Sequence, residues 1–195
     1  MTEIYVVGSG GHARSIAELL SGAHNVILVT LEQETSGIFP TETEQTFFET
    51  SNRDVRLVNG IGAKNNALLR KFVQQKFEKE GFEFSSVVAD SVEVSKTAIV
   101  GTGSQLLPRA FIGSGAVIES NVVIGAGTIV EHNCVIQRGA FVGPGSVLCG
   151  GVNVGAESFI GAGAVITPNV FLPAQSFVKA ASLANHKSVT GRRDE

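Results

Sequence analysis

Residues 118–136 read IESNVVIGAGTIVEHNCVI, and the fold turns on the spacing inside that stretch. Ile118, Ile124, Val130 and Ile136 stand six apart. The same step runs without a miss from Val88 to Val178, through Val94, Val100, Leu106, Ile112, Val142, Leu148, Val154, Ile160, Ile166 and Leu172. An α-helix cannot keep such a stripe on one face, because six residues leave it about 120° short of two full turns. A three-sided solenoid can. If each hexad supplies one short strand and one corner, three hexads make a coil of about 18 residues, and coils stack at the ~4.8 Å spacing of β pairing. Four places after each aliphatic residue the chain is mostly small, as at Ala110, Ala116, Thr128, Cys134, Ala140 and Ser146, which suits a tapering corner. Gly often follows the aliphatic residue directly, as at Gly101, Gly113, Gly125, Gly143, Gly155 and Gly161, and these glycines are expected to supply the turn dihedrals. A sandwich of ordinary strands would instead alternate with period two between variable loops. No loop interrupts the ladder, so about five smooth-sided coils are expected.

Composition narrows the function. The chain has 15 Lys+Arg against 18 Asp+Glu, a net charge of −3, and no basic run before its last few residues. A nucleic-acid or anionic-membrane surface does not fit that balance. Apolar runs such as Ile4–Val7 and Val26–Val29 fall far short of the ~20 residues of a membrane helix. Met1-Thr-Glu lacks the features of a signal peptide, so a cytoplasmic protein is expected. Two cysteines, Cys134 and Cys149, make no disulfide framework and suit a reducing compartment. Cys134 stands at a small-residue position and reads as core filler rather than nucleophile.

Residues 1–85 follow another pattern. Ile4–Val7 reads as a buried strand, Gly8-Ser-Gly-Gly-His12 as a tight loop, and Ala13–Leu20 as a helix. A second strand is expected at Val26–Val29 and a third at Val55–Val58, with a polar excursion from Thr30 to Asp54 to which no element is assigned. A helix from about Lys64 to Lys79 places Leu68, Leu69, Phe72, Val73 and Phe77 on its apolar side. This is a half-sized doubly wound unit. Ligands of such units lie beyond the carboxyl ends of the strands, which puts Gly8–His12 and Gly60–Gly62 on one rim. Gly8-x-Gly10-x-x-Ala13 satisfies a dinucleotide fingerprint, but NAD would want an acid closing the second strand, where Glu32 is the nearest, and one half-unit suits a sugar nucleotide better.

An α/β segment opening with Gly-x-Gly-Gly-His, followed by hexapeptide repeats carrying Val130-Glu-His-Asn-Cys134, resembles the PglD/NeuD-like sugar acetyltransferases of bacteria over nearly the whole chain. The resemblance implies a small Rossmann-like nucleotide-sugar-binding domain over 1–85, a left-handed parallel β-helix over 86–180, and a tail over 181–195. It implies a homotrimer that holds acetyl-CoA between neighbouring prisms. The implied activity is N-acetylation of a nucleotide-linked amino sugar, of the UDP- or dTDP-4-amino-4,6-dideoxy type, for surface glycan or glycoprotein synthesis. No metal and no covalent acyl-enzyme are implied. His132 would be the catalytic base, oriented by Asn133, and Gly150 would offer its N–H to the acetyl carbonyl with Gly151 beside it on the acetyl-CoA. Gly8, Ser9, Gly10, Gly11, His12 and Gly62 would hold the nucleotide-sugar phosphates. Imidazole titrates near neutrality, which suits removal of a proton from an attacking amine.

Several positions depart from the family pattern. Asn133 stands where an acid is usual, Phe141 where a second His is common, and Gly125 where Asn is common; Val178-Lys-Ala-Ala replaces Gly-x-Pro-Ala-Lys. Two further functions therefore stay open: O-acetylation of a sialic-acid-type sugar, and a catalytically weakened scaffold that binds sugar nucleotides. A zinc site of the γ-carbonic-anhydrase kind is not expected, because the coils hold only His132. His12 reads equally as a loop cap. His24 and His186 read as surface residues, and Lys187, Arg192 and Arg193 as a frayed basic end or a contact with CoA phosphates.

Overall fold

The computed structural model describes residues 2–30, 37–52, 54–63 and 68–185. They divide into two compact units, one running to Gly62 and resuming over Leu68–Ser85, the other taking in Ala63 and the chain from Ser86 onward.

The first unit is built on four parallel strands, β1 (Thr2–Val7), β2 (His24–Thr30), β3 (Thr41–Thr43) and β4 (Arg56–Asn59), in the order β3-β2-β1-β4. Ile4, Tyr5, Val6 and Val7 are all buried, as expected of a central parallel strand covered on both faces. Ile4 lies opposite Val26 on one side and Arg56 on the other. Three helices accompany the sheet: α1 (Gly11–Ser21), α2 (Glu44–Thr50) and α3 (Leu68–Lys79). Ala13, Ile16 and Ala17 form the buried stripe of α1.

Two expectations for this unit need correction. The excursion from Thr30 to Asp54 contains β3 and α2. The Thr43 hydroxyl caps α2 by accepting from the Thr46 N–H at 3.1 Å. Phe47, fully buried, packs against Tyr5, Phe77 and Phe82 with ring centroids 5.1, 5.7 and 4.9 Å away. The second correction concerns α3. Its buried stripe is Arg70, Gln74 and Phe77, whereas Leu68, Leu69 and Phe72 are 52%, 58% and 66% exposed. Arg70 turns inward because it finds backbone carbonyls to bond, and the i, i+4, i+7 row through it carries Phe77 into the aromatic cluster. The expected start of this helix at Lys64 lies outside the described residues.

The second unit is a parallel β-helix of hexapeptide repeats. Seventeen two-residue strands, from Val87–Val88 to Leu183–Ala184, form three parallel sheets of five, six and six. Each strand pairs with the one a full coil away: Val117 lies opposite Val135, Val123 opposite Phe141, and Ile129 opposite Val147. This arrangement fits the left-handed β-helix expected. The six-step residues close every strand and line the core from Leu106 onward. Val88 and Val94, in the first coil, are the exceptions, 51% and 41% exposed. Buried hydroxyls tie successive coils together at the corners: Ser104 donates to the Glu119 carbonyl, Thr128 to Gly143, Ser146 to Gly161 and Ser158 to Pro173.

The turn glycines also need correction. Gly101, Gly113, Gly125, Gly143, Gly155 and Gly161 are absent from the left-handed region. A left-handed residue recurs every six positions from Gly103 to Ala181, two places further on, and includes Asn121, Asn133 and Asn169. The glycines that follow the ladder serve close approach instead. A Cβ on Gly125 would stand 2.5 Å from the Pro144 nitrogen, and one on Gly113 2.7 Å from the His132 nitrogen. Among the described residues no helix is long and apolar enough to cross a membrane.

Candidate active site

His132 occupies a corner of the solenoid between the strands Ile129–Val130 and Val135–Ile136, and its imidazole is exposed. The next residue, Asn133, is held at φ 57°, a conformation Asn tolerates better than most residues. Its backbone N–H donates to the Ser114 carbonyl at 2.9 Å. Its side-chain amide lies 3.3 Å from His132 Nδ1. The amide atom facing the ring is Nδ2; Nε2 carries the lone pair that a base needs when the amide is flipped, so that Oδ1 accepts from Nδ1–H.

The other face of the site is the coil above. The His132 carbonyl accepts from the Gly151 N–H at 2.9 Å, and the Gly150 carbonyl accepts from the Asn169 N–H at 3.0 Å. The imidazole lies directly over Gly150: a Cβ there would stand 2.5 Å from both Cε1 and Nε2. No other residue type leaves room for the ring in this position. The Gly150 N–H has no acceptor among the described residues, so a donor stands free beside the imidazole. The structure thus brings His132, Asn133, Gly150 and Gly151 to one corner, as the spacing predicts.

Cys134, buried below this corner, donates from Sγ to the Cys149 carbonyl at 3.2 Å, and burial pushes its thiol up. That is the environment of core filler. Phe141 stacks on Phe159 and Phe159 on Phe177, with centroids 5.7 and 5.5 Å apart, forming an aromatic ladder on another face of the prism. Among the described residues no group of His, Cys, Asp and Glu could hold a metal ion.

In the first unit, Gly8 has φ 112° and donates to the Val29 carbonyl at 2.7 Å. Gly10 is the N-cap of α1, with no side-chain cap and no acid in the first turn, a helix start whose dipole suits an anion. A Cβ on Gly8 would meet Ile61 Cδ1 at 3.0 Å, and one on Gly62 would meet His12 Cβ at 3.2 Å. The two expected loops therefore do form one rim, with Gly8, Ser9, Gly10, Gly11 and His12 on one side and Gly62 on the other.

Gly60, expected on this rim, and Arg70, which no sequence motif marks, hold it in shape. Gly60 packs so tightly that a Cβ would stand 2.7 Å from the Val7 carbonyl oxygen and 2.8 Å from Ala13 Cβ. Arg70, 2% exposed, donates from Nη1 to the carbonyls of Asn59 at 2.7 Å and Ile61 at 3.0 Å. Burial lowers this guanidinium to about 9, which still leaves it charged at neutral pH. Its only available sequence signal was its place four and seven residues before Gln74 and Phe77. His24, expected at the surface, is half-buried, and its Nδ1 is enclosed without a partner. Glu32, Lys187, Arg192, Arg193 and His186 lie outside the described residues.

Among the described residues, the β-helix of hexad repeats carries one imidazole, at a corner. The bacterial transferase hexapeptide family (six repeats) matches residues 103–138 and 133–168. No curated protein matches the chain by sequence. Among solved structures, the chain resembles PerB from Caulobacter crescentus in complex with CoA and GDP-perosamine, with 26% identity and a TM-score of 0.85 over 95% of this chain and 89% of that one. The acetyltransferase domain of PglB from Neisseria gonorrhoeae FA1090 shares the fold at 24% identity, TM-score 0.83, over 95% of this chain and 92% of that one. WeeI from Acinetobacter baumannii AYE does so at 18% identity and TM-score 0.64, over 95% and 97%.

Proposed function

We propose that the protein is an acetyl-CoA-dependent N-acetyltransferase acting on the amino group of a nucleotide-linked amino sugar. The observation that carries this reading is the imidazole seated over Gly150, with a free N–H beside it. His132 Nε2 takes the proton of the sugar amine as its nitrogen attacks the thioester carbon. The Gly150 N–H stabilises the developing oxyanion, and the tetrahedral intermediate then collapses with loss of the CoA thiolate. Asn133 fixes the imidazole tautomer, and Gly151 lines the acetyl-CoA side. The resemblance to a GDP-perosamine N-acetyltransferase supports the substrate class. Forms of that enzyme with one histidine replaced by Asn or Ala were solved with CoA and GDP-perosamine bound, which supports a working histidine in such sites.

The first unit, residues 1–85, is in this reading a Rossmann-like domain, supported by its β3-β2-β1-β4 parallel order and the uncapped Gly10 at the start of α1. Gly8, Ser9, Gly10, Gly11, His12 and Gly62 hold the nucleotide-sugar phosphates there. Residues 86–180 form the acetyl-CoA-dependent domain of a homotrimer that works in the cytoplasm and feeds surface glycan or glycoprotein synthesis. The test is release of free thiol from acetyl-CoA in the presence of GDP-, UDP- and dTDP-linked 4-amino sugars. Turnover with at least one of them is expected. Binding without turnover would favour the weakened scaffold, and turnover with hydroxyl acceptors alone would favour O-acetylation.

A further inference from the structure

Arg70 carries a formal charge in a place where charges are costly. It is 2% exposed, and Nη1 is satisfied by two carbonyls, but Nε and Nη2 are buried without any partner among the described residues. Among the described residues no carboxylate forms an ion pair with it, and burial lowers its titration. A guanidinium kept only to tie down a loop would be expected to recruit an acid or to be replaced by a neutral donor.

The bonds it makes point to a use. Nη1 donates to the oxygens of two peptide groups, Asn59–Gly60 and Ile61–Gly62. Polarising a carbonyl strengthens the N–H at the other end of the same peptide. Those N–H groups belong to Gly60 and Gly62. The Gly60 N–H is spent on the Val7 carbonyl at 2.9 Å, whereas the Gly62 N–H has no acceptor among the described residues. Asn59 completes a reciprocal clasp: its Nδ2 donates to the Arg70 carbonyl at 3.1 Å, and its Oδ1 accepts from the Ile61 N–H at 3.0 Å. The whole segment Asn59–Ile61 is thereby fixed in front of a buried positive charge. Ile61 is the residue that would touch a side chain on Gly8, so the charge lies one residue behind the rim.

We infer that Arg70 is a positioning and polarising residue for an anion, kept unpaired so that the Gly62 N–H and the rim around it favour the diphosphate of a nucleotide-linked ligand. This rests on the reading that the rim takes such a ligand, and it adds the residue that would make diphosphate, rather than the nucleoside, the recognised part. A low-dielectric interior carries the field of the guanidinium to the rim with little screening.

The experiment is calorimetric binding of GDP, UDP and dTDP, and of the matching nucleosides, to the full-length chain and to Arg70→Met, Arg70→Lys and Asn59→Asp. Met keeps much of the apolar shape without charge. Lys restores a charge. Asp in place of Asn59 sets a carboxylate against the Arg70 main chain, at the cost of the Nδ2 bond to the Arg70 carbonyl, and so brings a negative charge close to the buried positive one while the arginine stays in place. Arg70→Met and Asn59→Asp are each expected to weaken diphosphate binding by about tenfold or more and nucleoside binding by less than about twofold, with Lys recovering a good part of the loss. If diphosphate and nucleoside weaken by the same factor, Arg70 is structural only and the inference is overturned. If Arg70→Met does not fold, Asn59→Asp alone decides. If the wild-type chain binds none of the three diphosphates, the nucleotide reading of the rim fails, and the inference with it.

Discussion

At the scale of single residues, the site depends on what is missing at Gly150 as much as on what is present at His132. If the imidazole is the base, His132→Ala lowers kcat by about 10²-fold or more, the usual scale for a lost general base, read by thiol release from acetyl-CoA. Gly150→Ala tests the geometry separately. The new methyl would stand 2.5 Å from Cε1 and Nε2, so the ring must leave its seat. Its φ lies outside the left-handed set, so the backbone accepts Ala without strain. The expected outcome is a fall in kcat approaching that of His132→Ala with an unchanged melting temperature; full activity would show that the ring does not react from this position. Asn133 belongs to the left-handed series, which explains an amide where an acid is usual, yet Glu157 holds the same conformation at φ 59° and shows that the corners accept glutamate. Asn133→Glu is therefore expected to fold and to raise kcat, because a carboxylate facing Nδ1 stabilises the imidazolium formed in the reaction. A fall in kcat would mean that the neutral amide is the working partner of this ring.

At the scale of elements, the most revealing piece is α2, which the sequence conceals. Its seven residues, Glu44–Thr50, are polar apart from two phenylalanines, too short and too sparse to show a helical stripe. What makes it an element is tertiary: the Thr43 cap holds its first turn, and Phe47 fills the space between Tyr5, Phe77 and Phe82. Phe47→Ala should accordingly cost about 3–5 kcal/mol in the stability of the first unit, the range for emptying a large core site, measured by urea unfolding. A loss below about 1 kcal/mol would make α2 a surface addition. Most strands were legible because they are short apolar runs, as in Ile4–Val7, or rungs of the six-step ladder; β3, with the sequence Thr-Glu-Thr, is neither and was not legible. The helix faces were not. In α3 the apolar residues Leu68, Leu69 and Phe72 stay outside the stripe that docks, and the choice of Arg70 depends on carbonyls of Asn59 and Ile61 that only the folded chain brings near. The same contrast holds in the candidate site. Steps of six and 18 place His132 beneath Gly150, whereas no local pattern announces a buried guanidinium behind Gly60–Gly62.

At the scale of the whole molecule, more than half of the chain is a solenoid in which each rung is bonded only to its neighbours, so stability is close to a sum of coil-to-coil terms. Glycine enters that sum in two physically different ways, and a pair of substitutions two residues apart separates them. Gly125 faces backbone: a Cβ would stand 2.5 Å from the Pro144 nitrogen and 2.7 Å from the Gly143 carbonyl carbon, atoms that cannot yield without parting two coils. Gly127 faces open space, with nothing within 4 Å, but sits at φ 66°. Gly127→Ala therefore meets only the cost of a left-handed alanine, about 1 kcal/mol, which the chain already bears at Ala181 with φ 52°. Gly125→Ala meets overpacking against a rigid neighbour, about 3 kcal/mol, the upper part of the usual range. Urea unfolding of both variants should rank them in that order. Equal losses would mean that turn dihedrals, rather than the spacing between coils, limit the solenoid. The site adds a second readout, because the contact of Gly125 with Pro144 joins the same two coils as that of His132 with Gly150, one corner earlier. If coils communicate only with their neighbours, Gly125→Ala lowers kcat at His132 along with stability, whereas Gly127→Ala leaves kcat near that of the wild type.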